Sequence, residues 1–264
     1  MEGKYGFLEF PAFVSAINSL EHGDHVSITG GGEPTLHPDI IRMLEFIRDV
    51  RPDLDVSLVT NGRKFADLSF AEAVLNAAPP RFIVLNSIYS HRPNMHDYIA
   101  RARGAWRDTV EGMRNALELG IPWESRFIAH RLNYKDMPGY AQFIRDNFPD
   151  VTRVVFISIK YTGEAWRNKD LLFVRYSELV PYAVRAVDIL EGAGIPVYLY
   201  HFPHCVLPRK YWKNTAGVTR EDLTEFRILP QCKECAVFDR CSLVWLTYLL
   251  AGGEESEFRP IKHL

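Results

Sequence analysis

The sequence TGGGEPTLHPD at residues 29–39 is the most informative stretch for the fold of this chain. It follows a short apolar run around Val26 and Ile28 that is typical of a strand, and it leads into an amphipathic helix that begins near Pro38. Proline suits the first turn of a helix, where its missing N–H would have no partner. Glycines let the backbone approach a ligand closely. We therefore expect a ligand-binding turn in which Glu33 offers its carboxylate to a positively charged group.

Strand and helix patterns alternate along the chain. The spacing of Trp106, Val110 and Met113, for example, places these three side chains on one helical face. Such alternation with short turns predicts an α/β fold, with parallel strands and helices outside them. A loop rich in His and Arg is expected at 89–104. The predicted strands are 25–29, 56–60, 82–86, 123–129, 153–159 and 196–201, and the predicted helices are 9–20, 38–50, 69–77, 106–117, 137–148 and 176–191.

Composition excludes several classes of protein. The chain has 264 residues, 47% of them hydrophobic, and a formal net charge of -2, so no global basic field attracts nucleic acid. A run of about 18 apolar residues would indicate a membrane span, and the sequence has none. The first ten residues lack a basic region followed by an apolar one, so we expect no signal peptide and a cytoplasmic location.

The last quarter of the chain differs from the rest. Residues 202–264 break the alternating pattern, are rich in loops and contain all four cysteines. We therefore expect two domains, a barrel at 1–201 and a small C-terminal module at 202–264.

The GGEP turn resembles the motif that ends the second barrel strand of radical S-adenosylmethionine (radical SAM) enzymes, and a strand ending in TNG at 60–62 follows it as in that family. The resemblance implies a partial (β/α)6 TIM-type barrel. Here the motif ends the first predicted strand, so we expect the barrel to lack strand one. The family's three cysteines, spaced CxxxCxxC, would precede the motif, but no cysteine precedes Cys205. We expect that an upstream segment was lost, and native absence of that segment is the alternative.

The same resemblance implies a set of cofactor-binding residues. The strand-end residues Asn86 and Ser87 occupy positions that contact S-adenosylmethionine in the family, and Arg103 lies in a segment similar to the family's HD…RG stretch. Local roles in turns, strand-end caps or a solvated surface would explain the same residue types. His130 and Asn133, at a later strand end, are weaker candidates, and the sequence identifies no catalytic residue. The implied S-adenosylmethionine-binding residues are Gly31, Gly32, Glu33, Pro34, Asn61, Asn86, Ser87 and Arg103.

The cysteines predict a metal site. Cys232 and Cys235 form a CxxC pair, Cys241 follows closely, and Cys205 lies upstream. Four thiolates can complete either a structural zinc site or a [4Fe–4S] cluster. The spacing resembles part of the SPASM or twitch-type auxiliary cluster modules of radical SAM maturases, but Trp245 stands where the fuller pattern has another cysteine. We expect one auxiliary [4Fe–4S] cluster held by these four cysteines, with zinc as the alternative and histidines such as His201, His204 and His263 as less favoured ligands.

The resemblance implies the chemistry as well. We expect a radical SAM enzyme that generates a 5′-deoxyadenosyl radical for hydrogen abstraction, with a peptide or a small molecule as substrate and ferredoxin or flavodoxin as electron donor. A peptide-modifying maturase fits the C-terminal module. The alternative is a non-catalytic barrel that acts as a binding module or partner subunit, with a structural metal in its C-terminal module. Because the cysteines of the first cluster are missing, we do not expect this chain alone to cleave S-adenosylmethionine.

Overall fold

The computed structural model describes residues 6–216 and 223–263. Its contacts divide the chain into two compact units. The first contains the chain up to Ile88, together with Arg92–Ser125 and Asp150–Thr152. The second contains Tyr89–His91, Arg126–Pro149 and the chain from Arg153 onward.

Helices and strands alternate in the first unit, and short 3-10 helices follow two of its strands. The 3-10 helices are Pro34–Leu36 and Arg63–Ala66. In chain order the helices and strands are α1 (Phe10–Asn18), β1 (His25–Ile28), α2 (Ile40–Val50), β2 (Asp55–Thr60), α3 (Leu68–Ala77), β3 (Phe82–Ser87), α4 (Pro93–Ala100) and α5 (Ala105–Glu118), and β4 (Trp123–Ala129) runs from this unit into the second.

Apolar periodicity explains these elements. Helix α2 buries Ile40, Leu44 and Ile47, which recur every three or four residues and so share one face. Strand β2 buries Val56 and Leu58. Burying one such side chain fully contributes about 1.5–3 kcal/mol, so these positions stabilise the packing of both elements.

Strands β1, β2 and β3 pair in chain order, and both pairings are parallel. In the pairing of β1 with β2, Ile28 lies opposite Leu58. In the pairing of β2 with β3, Thr60 lies opposite Asn86. Because the strands are parallel, their carboxyl ends and the loops that follow them share one edge of the sheet.

The second unit also pairs its strands in chain order: β5 pairs with β6 and β6 with β7, both parallel, and β8 pairs antiparallel with β9. Its elements are α6 (Met137–Asn147), β5 (Arg153–Ser158), α7 (Gly163–Arg167), α8 (Lys169–Leu172), α9 (Tyr176–Gly192), β6 (Val197–Tyr200), β7 (Thr215–Ala216), β8 (Phe226–Arg227), β9 (Val244–Trp245) and α10 (Leu246–Leu250).

The six predicted strands and six predicted helices are all present, with ends within about two residues of those expected. The loop predicted at 89–104 contains helix α4, which buries only His96 and so carries no apolar stripe that the sequence could reveal. No helix among residues 6–216 and 223–263 is both long and apolar enough to cross a membrane. The predicted domain boundary after residue 201 stays a prediction.

Candidate functional site

Glu33 joins the turn after β1 to the end of β2. Its Oε1 accepts hydrogen bonds from the Thr60 hydroxyl at 2.6 Å, from the Thr35 hydroxyl at 2.8 Å and from the Thr35 N–H at 3.1 Å. Its Oε2 accepts one from the Asn61 N–H at 2.8 Å. An ionised carboxylate accepts about four hydrogen bonds. The carboxylate predicted to bind a positively charged group therefore already accepts four hydrogen bonds from the protein, three at Oε1 and one at Oε2, and Oε2 is the oxygen that can accept another.

Other contacts brace the loop after β2. The Lys64 Nζ donates to the Thr35 carbonyl oxygen at 3.0 Å, and the Thr109 hydroxyl donates to the Asn61 carbonyl oxygen at 3.0 Å. Helix α5 comes so close to this loop that a Cβ on Gly112 would stand 2.2 Å from the carbonyl oxygen of Gly62. The motif gave no sign of Lys64, Thr109 or Gly112, because these three residues lie outside it.

Gly31 and Gly32 are exposed, and no protein atom lies within 4 Å of the place where a Cβ of either would stand. Neither has a positive φ. Protein packing and backbone conformation therefore do not require glycine at these two positions. A ligand that approaches this backbone closely would require it. Pro34, the next residue but one, is half-buried at the start of the 3-10 helix.

Asn86 is the last residue but one of β3 and lies opposite Thr60 of β2. Its side chain is fully buried, and neither its Oδ1 nor its Nδ2 has a hydrogen-bond partner. Its register partner Thr60 binds Glu33. Gly62, with a φ of 76°, packs so tightly here that a Cβ on it would lie 2.6 Å from the Asn86 Nδ2. Buried polar side chains without partners are rare in native proteins, so the amide of Asn86 can both donate to and accept from a ligand at this edge of the sheet.

The remaining predicted residues differ in setting. Ser87 is half-buried at the end of β3, and Arg103 is exposed. Within the segment that resembles HD…RG, the Asp97 carboxylate accepts hydrogen bonds from the N–H groups of Gly104 at 2.5 Å and Trp106 at 2.8 Å. This segment therefore caps helix α5, which explains its acidic residue and its glycine.

His130 and Asn133 belong to the second unit. The Asn133 Oδ1 accepts from the His130 N–H at 2.8 Å, and its Nδ2 donates to the carbonyl oxygens of Tyr89 and Ile128, both at 2.9 Å. Burial lowers the pKa of His130 to about 4, so the ring is neutral at pH 7. These contacts fix the turn after β4.

The four cysteines line a single pocket in the second unit. The rest of its lining is mainly apolar and includes Val237, Leu243 and Phe258, with Gln231 and Arg259 as polar members. Burial raises the pKa of Cys205 to about 12, and the neighbouring cysteines raise it further. Burial likewise raises the thiol pKa values of two other members. These two are Cys232 and Cys241, and Cys235 is the fourth cysteine of the pocket.

The thiol groups share this pocket without forming a ready site for a single ion. Among the residues that the structure describes, no group of three or more His, Cys, Asp or Glu side chains is arranged to hold a metal ion. Four thiolates around one zinc ion at about 2.3 Å would lie about 3.8 Å from one another. In a [4Fe–4S] cluster each thiolate binds a different iron, so wider spacing suffices.

Curated relatives share the sequence over much of the chain. A probable GTP 3′,8-cyclase of Methanocaldococcus jannaschii is 31% identical over 131 residues, which are 49% of this chain and 42% of the relative. A GTP 3′,8-cyclase of Listeria welshimeri is 25% identical over 90% of this chain and 67% of its own length. An Fe-coproporphyrin III synthase of Methanosarcina barkeri is 23% identical over 72% of this chain and 47% of its own length. The chain thus spans about half the length of several of these enzymes.

Solved structures and a family profile agree on the fold. The structure of native anSMEcpe with bound AdoMet and Cp18Cys peptide matches 94% of this chain and 88% of that one at 13% identity, with a TM-score of 0.60. Streptococcus suis SuiB bound to its precursor peptide SuiA matches 66% of this chain and 38% of that one at 16% identity, with a TM-score of 0.53. These similarities confirm the predicted α/β partial barrel. The profile of the Radical SAM superfamily matches residues 2–144, more than half of the chain, and the chain therefore belongs to the radical SAM superfamily.

Proposed function

We propose that this chain is the S-adenosylmethionine-binding barrel of a radical SAM enzyme, joined to a C-terminal module that holds one [4Fe–4S] cluster. The observation that carries the proposal is the edge formed by β1, β2 and β3, where Glu33 fixes two strand-end loops beside the unpartnered amide of Asn86. When bound, S-adenosylmethionine would supply a 5′-deoxyadenosyl radical for hydrogen abstraction from the substrate, on receiving one electron from an iron–sulfur cluster.

The chain's own residues divide the work of holding S-adenosylmethionine. The backbone of Gly31 and Gly32 is open to a close approach by the methionyl end, and the Glu33 Oε2, which accepts one hydrogen bond from the protein, would accept another from the methionyl amine. The buried amide of Asn86 offers both a donor and an acceptor. Asn61, Ser87 and Arg103 complete the proposed contacts, with Arg103 as a bidentate partner for a carboxylate.

The four cysteines would hold the auxiliary cluster, because they line one pocket and have no competing acidic or histidine ligand in its lining. Four thiolates fill every ligand position that a cubane cluster offers to the protein. A site closed in this way transfers electrons or supports the fold, and it leaves no iron free to bind substrate. We therefore propose an electron-transfer or structural role for the module, with ferredoxin or flavodoxin as the external donor.

Calorimetric titration of S-adenosylmethionine into the 264-residue chain tests the cofactor site. Gly31→Val should abolish binding while leaving the melting temperature unchanged, because its side chain points into open space that only a ligand needs. Gly192→Val, which also meets no protein atom within 4 Å, is the matched control and should bind as the wild type does. Unchanged affinity in Gly31→Val, or no binding by the wild type, contradicts the proposal and favours a barrel that serves as a partner subunit.

Anaerobic iron, sulfide and zinc analysis tests the C-terminal site. About four irons and four sulfides per chain are expected for one [4Fe–4S] cluster. One zinc without sulfide would instead make the module structural.

A further inference from the structure

A second polar cluster lies in the second unit, after β5 and β6. Lys160 follows β5 and forms an ion pair with Glu225, and its Nζ lies 4.7 Å from the centre of the Trp245 ring. His201 directly follows β6, and its ring centre lies 4.0 Å from that of Trp245. Phe226 stacks on Trp245 with ring centres 4.6 Å apart. These five residues are called the Lys160 cluster below.

The backbone and the polar atoms of this cluster are unusual. His201 has a φ of 61°, a left-handed conformation that is uncommon for residues other than glycine. The Tyr176 hydroxyl fixes it by donating to its carbonyl oxygen at 2.8 Å. The His201 Nδ1 and the Trp245 Nε1 are both buried and have no hydrogen-bond partner. His201 and Trp245 are each only 6% exposed, so both unpaired atoms represent an unexplained free-energy cost.

The cluster carries two opposite charges, one on Lys160 and one on Glu225, and these two side chains form an ion pair. Burial, and to a smaller extent the charge of Lys160, lowers the pKa of His201 to about 3, so its ring is neutral at pH 7. Lys160 is the cation, and 30% of its side chain remains exposed against 39% for Glu225. The ends of parallel strands β5 and β6 are where barrel enzymes place substrate contacts.

The same chain contains a structural counterpart for comparison. Lys210 pairs with Asp188 at 3.1 Å, and its Nζ lies 4.5 Å from the centre of the Tyr211 ring. There the aromatic residue's polar atom is satisfied, because the Tyr211 hydroxyl donates to Asp188 at 2.8 Å. A lysine placed over an aromatic ring therefore does not by itself leave orphaned polar atoms, and those of the Lys160 cluster need another explanation.

We propose that the Lys160 cluster binds the anionic group, phosphate or carboxylate, of a small-molecule substrate. Lys160 supplies the charge, and Glu225 holds it in place when the anion is absent. The Trp245 Nε1–H can donate a hydrogen bond to the same anion, and so can the His201 Nδ1 in the tautomer that carries its proton there. The assignment of this anion to a substrate rests on the proposed function, whereas the binding itself can be measured without it.

Tryptophan fluorescence provides a direct test, because an anion that draws Lys160 away from the Trp245 ring changes the emission of that indole. Titration with inorganic pyrophosphate or with glutarate should give a saturable change that Trp245→Phe lacks, and the preferred anion identifies phosphate or carboxylate chemistry. Lys160→Met should weaken binding about tenfold or more, as expected for the loss of a charge-assisted hydrogen bond, while Lys160→Arg retains it. Lys210→Met, the matched control, should bind as the wild type does.

Equal affinity in Lys160→Met and the wild type, or no saturable binding of either anion by calorimetry at millimolar concentration, overturns the inference. Titration of S-adenosylmethionine into the same samples separates the two proposals. If the cofactor binds and the anions do not, only the anion site fails; if the anions bind and the cofactor does not, only the proposed function fails.

Discussion

Replacing Asn86 by leucine should make the protein more stable and its cofactor binding weaker. The side chains are similar in size, and the native amide is fully buried with both polar atoms unpaired. An unsatisfied buried polar group costs about 1–3 kcal/mol, which leucine would recover apart from strain in its tight contact with Gly62. At about 2–4 °C per kcal/mol for a chain of this size, the melting temperature should rise by several degrees. Replacing a residue that serves only the fold would not raise the melting temperature and weaken cofactor binding together.

The two effects require two assays on the same samples. Differential scanning calorimetry should show the rise in melting temperature, and isothermal titration should show about a tenfold or greater loss of affinity for S-adenosylmethionine. Asn76→Leu changes an exposed asparagine of α3 in the same unit and should leave affinity unchanged. The reasoning is refuted if Asn86→Leu lowers stability by more than a kilocalorie per mole or so, or if it binds the cofactor as tightly as the wild type.

Four further results are expected. Gly112→Ala should lower the free energy of unfolding by about 1–3 kcal/mol, because its Cβ would overlap the carbonyl oxygen of Gly62 in the loop after β2. Gly192→Ala should be neutral or slightly stabilising. Thermal melts that rank the two variants the other way would contradict this packing. The pKa of His130 is lowered to about 4 in the folded protein from an ordinary 6.5. The stability that this neutral ring contributes is therefore complete above pH 6.5 and declines as the pH falls toward 4. Denaturant melts across this range should show a shallower decline for His130→Gln. Cys241→Ser should reduce the iron bound per chain, and unchanged iron content would remove Cys241 from the ligand set. Reconstituted with iron and sulfide, the 264-residue chain should release no 5′-deoxyadenosine, since no cysteine precedes Cys205; chromatographic detection of that product would disprove this expectation.

Helices, strands and the turn that carries the site could be predicted from the sequence, because they depend on periodicity and on local motifs. The stripe of Ile40, Leu44 and Ile47 gave α2, and the residues after the strands gave the edge where the site lies. Helix α4 escaped prediction because it buries a histidine rather than an apolar stripe. The roles of Thr60 and Lys64 also escaped prediction, because they depend on hydrogen bonds between residues nearly thirty positions apart.

The bonds of Glu33 bear on the thermodynamics of recognition. Oxygens of one carboxylate tie the turn after β1 to the end of β2, so the residue that follows the glycines is anchored before any ligand arrives. Ordering a flexible loop on binding costs conformational entropy that subtracts from affinity. A preorganised turn avoids that cost, and S-adenosylmethionine would then meet a receptor whose shape changes little, with its affinity set by the contacts themselves.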